Sequence, residues 1–303
     1  MKIMRTPDER FENLPGYDFS PHYTTVNDDD GTEIRIHHVD EGERSAEPIL
    51  LMHGSPTWSF LHRLMIPPLT ETGRRVMSVD LVGLGRSDKP AARDDYTLAR
   101  HYDWMEKWLL ANDLKNITLF CQDWGGVIGL YLVSRYPEKF NRVVVANSGM
   151  PIGEGGNEFL DMWLQMMEKA EEFPWDMVFK PAFRPAISDE VFAGYMAPFP
   201  STEYQAGILK FPSLIAVHPD NPGVPLNRAA WERLKSFDKP FLTLFGGEDI
   251  VSGKGAGAQK LIKHIPGAKG QRHEVHPDGG HFIQEDQPAF LVDRIKTFLK
   301  ADH

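Results

Sequence analysis

The stretch Ile117-Thr118-Leu119-Phe120-Cys121-Gln122-Asp123-Trp124-Gly125-Gly126-Val127-Ile128-Gly129 runs from a short apolar strand pattern into the start of a helix. Between the two lies Cys121-Gln122-Asp123-Trp124-Gly125, a small-x-Asp-x-Gly turn. Such strand-to-helix bends lift a nucleophile clear of a sheet, more usually a Ser. A bend that sharp needs small residues two before and two after the nucleophile, here Cys121 and Gly125. Gly126 and Gly129 let the following helix lie close to the sheet. An ionised Asp is nucleophilic without a base to activate it, so a carboxylate at this apex narrows the chemistry. Taken alone, Asp123 reads equally well as the N-cap of a buried helix. Two more residues tip the balance. Asp249, in Gly246-Gly247-Glu248-Asp249, and His281, in Gly279-Gly280-His281-Phe282, both follow strand patterns. The chain order Asp123, Asp249, His281 is that of nucleophile, acid and base in a hydrolytic triad. Glu248 competes with Asp249 for the acid's place, and His53 reads as support for its own loop.

Residues that must converge from such distant positions require a scaffold of strand ends. His22 to Val26 and Thr32 to Val39 read as a hairpin turning at Asn27-Asp28-Asp29-Asp30-Gly31. Pro48-Ile49-Leu50-Leu51-Met52 is a buried-strand pattern leading into His53-Gly54-Ser55-Pro56. A helix is expected from about Ser59 to Thr70, and a strand from Arg75 to Leu81. Tyr96 to Asn112 is amphipathic, with Leu98, Tyr102, Met105 and Leu109 on one face. After the elbow helix, Phe140 to Ala146 gives another strand. Residues 151 to about 226 hold helical pieces rich in Met, Phe and Trp, broken by prolines. The strand pattern resumes at Pro240-Phe241-Leu242-Thr243-Leu244-Phe245-Gly246 and again near Arg272–His276, each followed by a helix. Strand–helix alternation of this kind predicts an α/β protein with a mostly parallel central sheet and helices on both faces. The expected organisation is a core over 1–150, a helical cap over 151–226 and the rest of the core over 227–303. Residues 1–20 read as an arm on the surface.

The bulk properties exclude several classes. With 303 residues and 41% apolar content the chain can bury a large core. A net charge of −10 argues against nucleic-acid or anionic-membrane partners. No apolar run is long enough to span a bilayer, and Met1 to Arg10 lacks the apolar core of a signal peptide. The single Cys121 excludes an internal disulfide and any multi-cysteine metal site. The chain is expected to be cytoplasmic and monomeric, with no metal and no cofactor.

With these motifs in place, the whole chain resembles the α/β-hydrolases of the haloalkane dehalogenase and epoxide hydrolase group. Four motifs carry the likeness: His53-Gly54-Ser55-Pro56; Asp80-Leu81-Val82-Gly83-Leu84-Gly85-Arg86-Ser87-Asp88-Lys89-Pro90; Gln122-Asp123-Trp124-Gly125-Gly126; and Gly280-His281-Phe282-Ile283-Gln284-Glu285. The wider group shares them. More discriminating is Tyr195-Met196-Ala197-Pro198-Phe199-Pro200, with Tyr204-Gln205-Ala206-Gly207 after it. That segment is similar to haloalkane dehalogenases, especially the subfamily whose triad acid follows the strand after the cap, the place Asp249 occupies.

The resemblance implies an α/β-hydrolase fold with a helical cap. It also implies hydrolysis of haloalkanes to a primary alcohol, halide and a proton through an alkyl ester on Asp123. The chemistry suits the residue. A Ser would form an ether, which water cannot readily cleave, whereas an Asp forms a hydrolysable ester. His281 would then be the general base on water, and Asp249 its orienting acid. The backbone N–H groups of Ser55 and Trp124 are the implied oxyanion hole. Ser55 stands where many relatives carry Asn or Glu; it keeps the N–H and changes the side chain. A leaving halide needs donors that are not bases, and indole N–H is donor-only. Trp124 is one implied halide donor. Trp163 and Trp175 compete to be the second, and the position of Trp163 early in the cap favours it. The partners are then a small apolar halogenated substrate, halide and water. Phe159, Met162, Phe173, Phe183, Phe211 and Phe282 are possible pocket wall or plain core.

The alternative is an epoxide hydrolase using the same triad, which would need cap tyrosines such as Tyr195 and Tyr204 to protonate an alkoxide. A fluoroacetate dehalogenase should hold cations for the substrate carboxylate, and the residue after Asp123 is Trp124, not Arg. A silent binding protein on the same fold would tend to lose triad members, and all three are present.

Overall fold

The computed structural model describes residues 1–156 and 158–301, the side chain of Phe159 excepted. Its strands are β1 (Ile3–Met4), β2 (His22–Asn27), β3 (Glu33–Glu41), β4 (Pro48–Met52), β5 (Arg75–Val79), β6 (Lys89–Pro90), β7 (Ile117–Gln122), β8 (Phe140–Ala146), β9 (Phe241–Gly246) and β10 (Glu274–His276). Its helices are α1 (Ile66–Thr70), α2 (Leu98–Ala111), α3 (Trp124–Arg135), α4 (Glu158–Lys169), α5 (Asp189–Met196), α6 (Ala206–Lys210), α7 (Val224–Leu234), α8 (Ala256–His264), α9 (Ile283–Asp286) and α10 (Pro288–Lys300).

Eight strands form one sheet in the order β10-β9-β8-β7-β4-β5-β3-β2. The β2/β3 and β3/β5 pairs are antiparallel and the others parallel. Every residue of β4, β7 and β9 is buried, as expected of parallel strands covered on both faces. Burial of each large aliphatic side chain in them contributes about 1.5–3 kcal/mol. From β4 the chain moves to β5 on one side, while β7 pairs with the other side of β4 and the chain continues outward through β8. The strand order therefore reverses between β4 and β7. That crevice, beyond the carboxyl ends of the strands, is where open α/β sheets bind ligands.

One expectation about the N-terminal half needs correction. The helix expected over Ser59–Thr70 is a 3-10 turn, Ser59–His62, and a separate short α1. Pro67 and Pro68 lack the N–H groups a continuous helix would need and instead open the second piece. The arm over residues 1–20 lies on the surface as expected, with Thr6, Phe11 and Tyr17 buried, and it is tied down. β1 pairs with β6, Arg5 holds Asp88 through two bonds of 2.7 and 3.0 Å, and Phe11 and Tyr17 are buried against Trp58. Its hydrophobic residues, not its prolines, decide where it lies.

Between β8 and β9 the described residues contain helices and turns and no strand. Phe179, Phe183, Tyr195 and Phe282 meet ring to ring at centroid distances of 4.8–5.3 Å, seating this helical layer on the His281 loop. The last helix of the stretch, α7, packs against α3. No helix among the described residues is long and apolar enough to cross a membrane.

Candidate active site

Asp123 sits between β7 and α3 with φ 52° and ψ −126°, a conformation that costs a non-glycine residue about 1–3 kcal/mol. Its surroundings hold it there. Its carbonyl accepts from Gly126 N at 2.9 Å, Val127 N at 3.2 Å and Ser148 Oγ at 2.6 Å. A Cβ at Gly125 would strike the Met52 carbonyl, and one at Gly54 would strike the Asp123 carboxylate itself. These two glycines mark where the loop after β4 and the elbow helix crowd the nucleophile. The crowding has a use: Ser55 N–H donates to Asp123 Oδ1 at 2.9 Å. The N–H of Trp124, first in α3, has no helical acceptor.

His281 lies five residues past β10. Its Nδ1 is 3.0 Å from Asp249 Oδ1, and its Nε2 is 3.5 Å from Asp123 Oδ2. Asp249 is fully buried and also accepts from Val251 N at 2.9 Å and Ser252 N at 3.3 Å. Burial opposes the charge on this carboxyl, but the facing imidazole outweighs it and holds the pKa below the ordinary value. Burial likewise opposes a charged His281, but Asp249 and the contact with Asp123 raise its pKa to about 10. Glu248, the competing acid, is 54% exposed and faces Lys254. His53 supports its loop: Nδ1 bonds the Gly54 carbonyl and Nε2 accepts from Leu81 N. Burial lowers its pKa, so it is held neutral.

A cavity of about 670 Å³ opens over Asp123. Asp123, His281, Ser55, Trp124 and Trp163 all line it, as do Phe173 and Phe282. Trp175 does not; it is buried among Phe173, Phe179 and Phe199. The indole N–H groups of Trp124 and Trp163 have no hydrogen-bond acceptor among the described residues. Of the other possible wall residues, Phe211 stands behind Trp124 at 5.1 Å, Phe183 is in the cap's aromatic cluster and Met162 is 63% exposed. Phe159 falls outside the described side chains. Neither Tyr195 nor Tyr204 lines the cavity. Tyr195 is fully buried and donates to Glu285 at 2.5 Å.

Two residues that the sequence pattern did not single out tie the site together. Asn147, at the end of β8, donates through Nδ2 to the Gly280 carbonyl at 2.7 Å and the His281 carbonyl at 3.0 Å. Its Oδ1 accepts from Gly246 N at 2.7 Å, and its own carbonyl accepts from Asp123 N at 3.4 Å. One side chain and its backbone thus touch all three loops. Gln122, directly before the nucleophile, places Nε2 3.0 Å from the His281 carbonyl and 3.3 Å from His281 Nε2. The signal available was a polar residue ending an otherwise apolar strand, in both cases.

A family model described as alpha/beta hydrolase fold matches residues 47–180. The chain is 48% identical over 301 residues to a haloalkane dehalogenase of Psychrobacter cryohalolentis, covering 99% of this chain and 98% of that one. It is 45% identical over 302 residues to haloalkane dehalogenase 1 of Mycobacterium bovis, covering 99% and 100%. Among solved structures, the tetrameric haloalkane dehalogenase DpaA from Paraglaciecola agarilytica superposes with a TM-score of 0.89 at 32% identity, over 99% of each chain. With relatives this similar along its full length, the chain belongs to the haloalkane dehalogenases, hydrolases of the α/β-hydrolase fold that act on carbon–halide bonds.

Proposed function

We propose that Asp123, Asp249 and His281 carry out haloalkane hydrolysis in two steps beneath a cap formed by residues 151–226. The observation that carries the reading is the asymmetry of the Asp123 carboxylate. Oδ1 is held by Ser55 N–H, while Oδ2 faces the cavity side where His281 stands. Oδ2 is then the attacking atom. It bonds to the substrate carbon in line as the carbon–halogen bond breaks, and the halide departs toward the indole N–H groups of Trp124 and Trp163. Oδ1 becomes the ester carbonyl oxygen and already rests on one donor of its oxyanion hole. Trp124 N–H is the second.

In the next step His281 Nε2 takes a proton from water, and the oxygen adds to the ester carbonyl. The tetrahedral oxyanion collapses, the departing alkoxide takes the proton back from His281 to leave as alcohol, and Asp123 is restored as a carboxylate with one oxygen from water and a proton released. Asp249 stabilises the imidazolium that forms. Alkylation also prepares the base. It removes the Asp123 charge, one of the two anions that hold the proton on His281.

The epoxide-opening alternative asks for a phenol beside the nucleophile, and no tyrosine lines the cavity among the described residues. Small bromo- and chloroalkanes are the substrates to screen. Asp123→Asn should abolish halide release from 1,2-dibromoethane; retained release would contradict the proposal. The site is complete within one chain, and we propose a monomer. A light-scattering mass of four chains, the assembly named for the DpaA structure, would contradict that part.

A further inference from the structure

We propose that Gln122 is a positioning residue for the base: its side-chain amide holds the His281 backbone and disfavours the protonated ring, so that the imidazole is neutral once Asp123 has become an ester. The inference rests on the dehalogenase reading above and concerns its second step.

A backbone carbonyl can only accept, so the end of Gln122 that lies 3.0 Å from the His281 carbonyl must be the NH2 group. The opposite end agrees, because Gln284 Nε2 donates to Gln122 Oε1 at 3.4 Å. The NH2 group has a second hydrogen, and its nitrogen lies 3.3 Å from the ring Nε2. A hydrogen on the ring Nε2 would face that amide hydrogen, so the contact disfavours the protonated ring. The other ring nitrogen, Nδ1, faces the Asp249 carboxylate and must donate. Both neighbours therefore favour the same neutral tautomer, the one a general base requires. Asn147 grips the same carbonyl from another strand, so the ring has little room to drift.

Gln122 is fully buried on β7 and does not line the cavity. It therefore acts through His281 and not on the substrate. The charged groups facing the imidazole are Asp123 from the start of α3 and Asp249 from the loop after β9. On the histidine's own side, Asp286 accepts from Gly280 N, and Glu285 is paired with Arg63. In the resting enzyme the Asp123 carboxylate competes with Gln122 by attracting a proton to Nε2. Alkylation cancels that charge, and the amide dipole of Gln122 then opposes the Nε2–H form. The same amide thus has little effect on alkylation and a large one on ester hydrolysis.

The test uses the full chain with 1,2-dibromoethane in single-turnover rapid quench, reading halide and alcohol separately from pH 6 to 10. Gln122→Glu replaces the donor by an anion of the same shape. The halide burst should remain near one equivalent. Alcohol formation near neutral pH should fall by about 10- to 100-fold, within the range general-base catalysis supplies. Its pH midpoint should move upward by about one unit or more, so that activity returns in alkali. Gln122→Leu should shift the midpoint in the same direction by less. Both steps falling together with an unmoved midpoint would overturn the proposal in favour of a packing role. Absence of halide release from the unsubstituted chain would instead remove the dehalogenase reading, and this inference with it. A measurement independent of any Gln122 variant is 15N NMR of the His281 ring in Asp123→Ala, where the competing charge is gone. A neutral ring with hydrogen on Nδ1 is expected at pH 7, and hydrogen on Nε2 would overturn the proposal.

Discussion

His281 makes one contact with each of two carboxylates, and the two have different fates in the proposed cycle. Asp249 stays charged throughout, while Asp123 loses its charge on alkylation and regains it on hydrolysis. His281→Phe should therefore release one equivalent of halide and stop, with the ester detectable as a mass increase on the intact chain. Ester hydrolysis needs the neutral ring, so it should be present at high pH and fade as pH drops through the pKa of the alkylated state. Stability has the opposite sign. The folded pKa of His281, about 10, lies above its ordinary 6.5, so the triad's contribution is full below about 6.5 and is lost as pH rises through 10. Urea midpoints of the unsubstituted chain should accordingly fall more steeply between pH 7 and 10 than those of His281→Phe. The two cap tryptophans separate in the same way. Trp163→Phe should weaken halide binding about 10-fold or more, the worth of one hydrogen bond to an ion, as read by fluorescence titration with bromide. Trp175→Phe should leave halide binding alone and cost about 1–3 kcal/mol of stability, since it empties part of an aromatic cluster.

The elements that carry these residues were readable to different depths. The elbow was legible because its glycines stand where a Cβ would strike a neighbouring strand or the nucleophile. The parallel strands were legible as uninterrupted apolar runs. Asn147 was not, because its partners, Gly246, Gly280 and His281, lie about a hundred residues or more along the chain. Gln122 is legible only as part of the elbow motif, because its partner His281 lies 159 residues further along the chain. The choice of Trp163 over Trp175 rested on position along the cap, while the cavity separates them by which one has space in front of it. The join between α9 and the rest of the molecule was also invisible. Arg63 bonds Glu285 at 2.6 and 2.7 Å, and Tyr195 from α5 donates to the same carboxylate. Removing one partner of a buried ion pair strands the other, so Glu285→Ala should cost about 3–5 kcal/mol in urea denaturation. Asp286, the next residue, accepts from Arg184 N in the cap and Gly280 N before the histidine. These two carboxylates connect the seating of the cap to the place of the base.

At the scale of the molecule, the reversal of strand order opens the crevice, the elbow raises a carboxylate into it and the helical stretch between β8 and β9 supplies much of the chamber wall above. Trp163, Phe173, Ile208, Val217 and Phe282 are among the residues lining that chamber, which suits a substrate that offers only carbon and halogen. The account as a whole stands on a transient bond between Asp123 Oδ2 and carbon. The most direct measurement is a single turnover in 18O-labelled water with enzyme in excess over 1,2-dibromoethane, followed by mass spectrometry of the alcohol and of the elbow peptide. The account predicts an unlabelled alcohol and one labelled oxygen in the peptide bearing Asp123. Label in the alcohol of that first turnover, with none in the peptide, would contradict it.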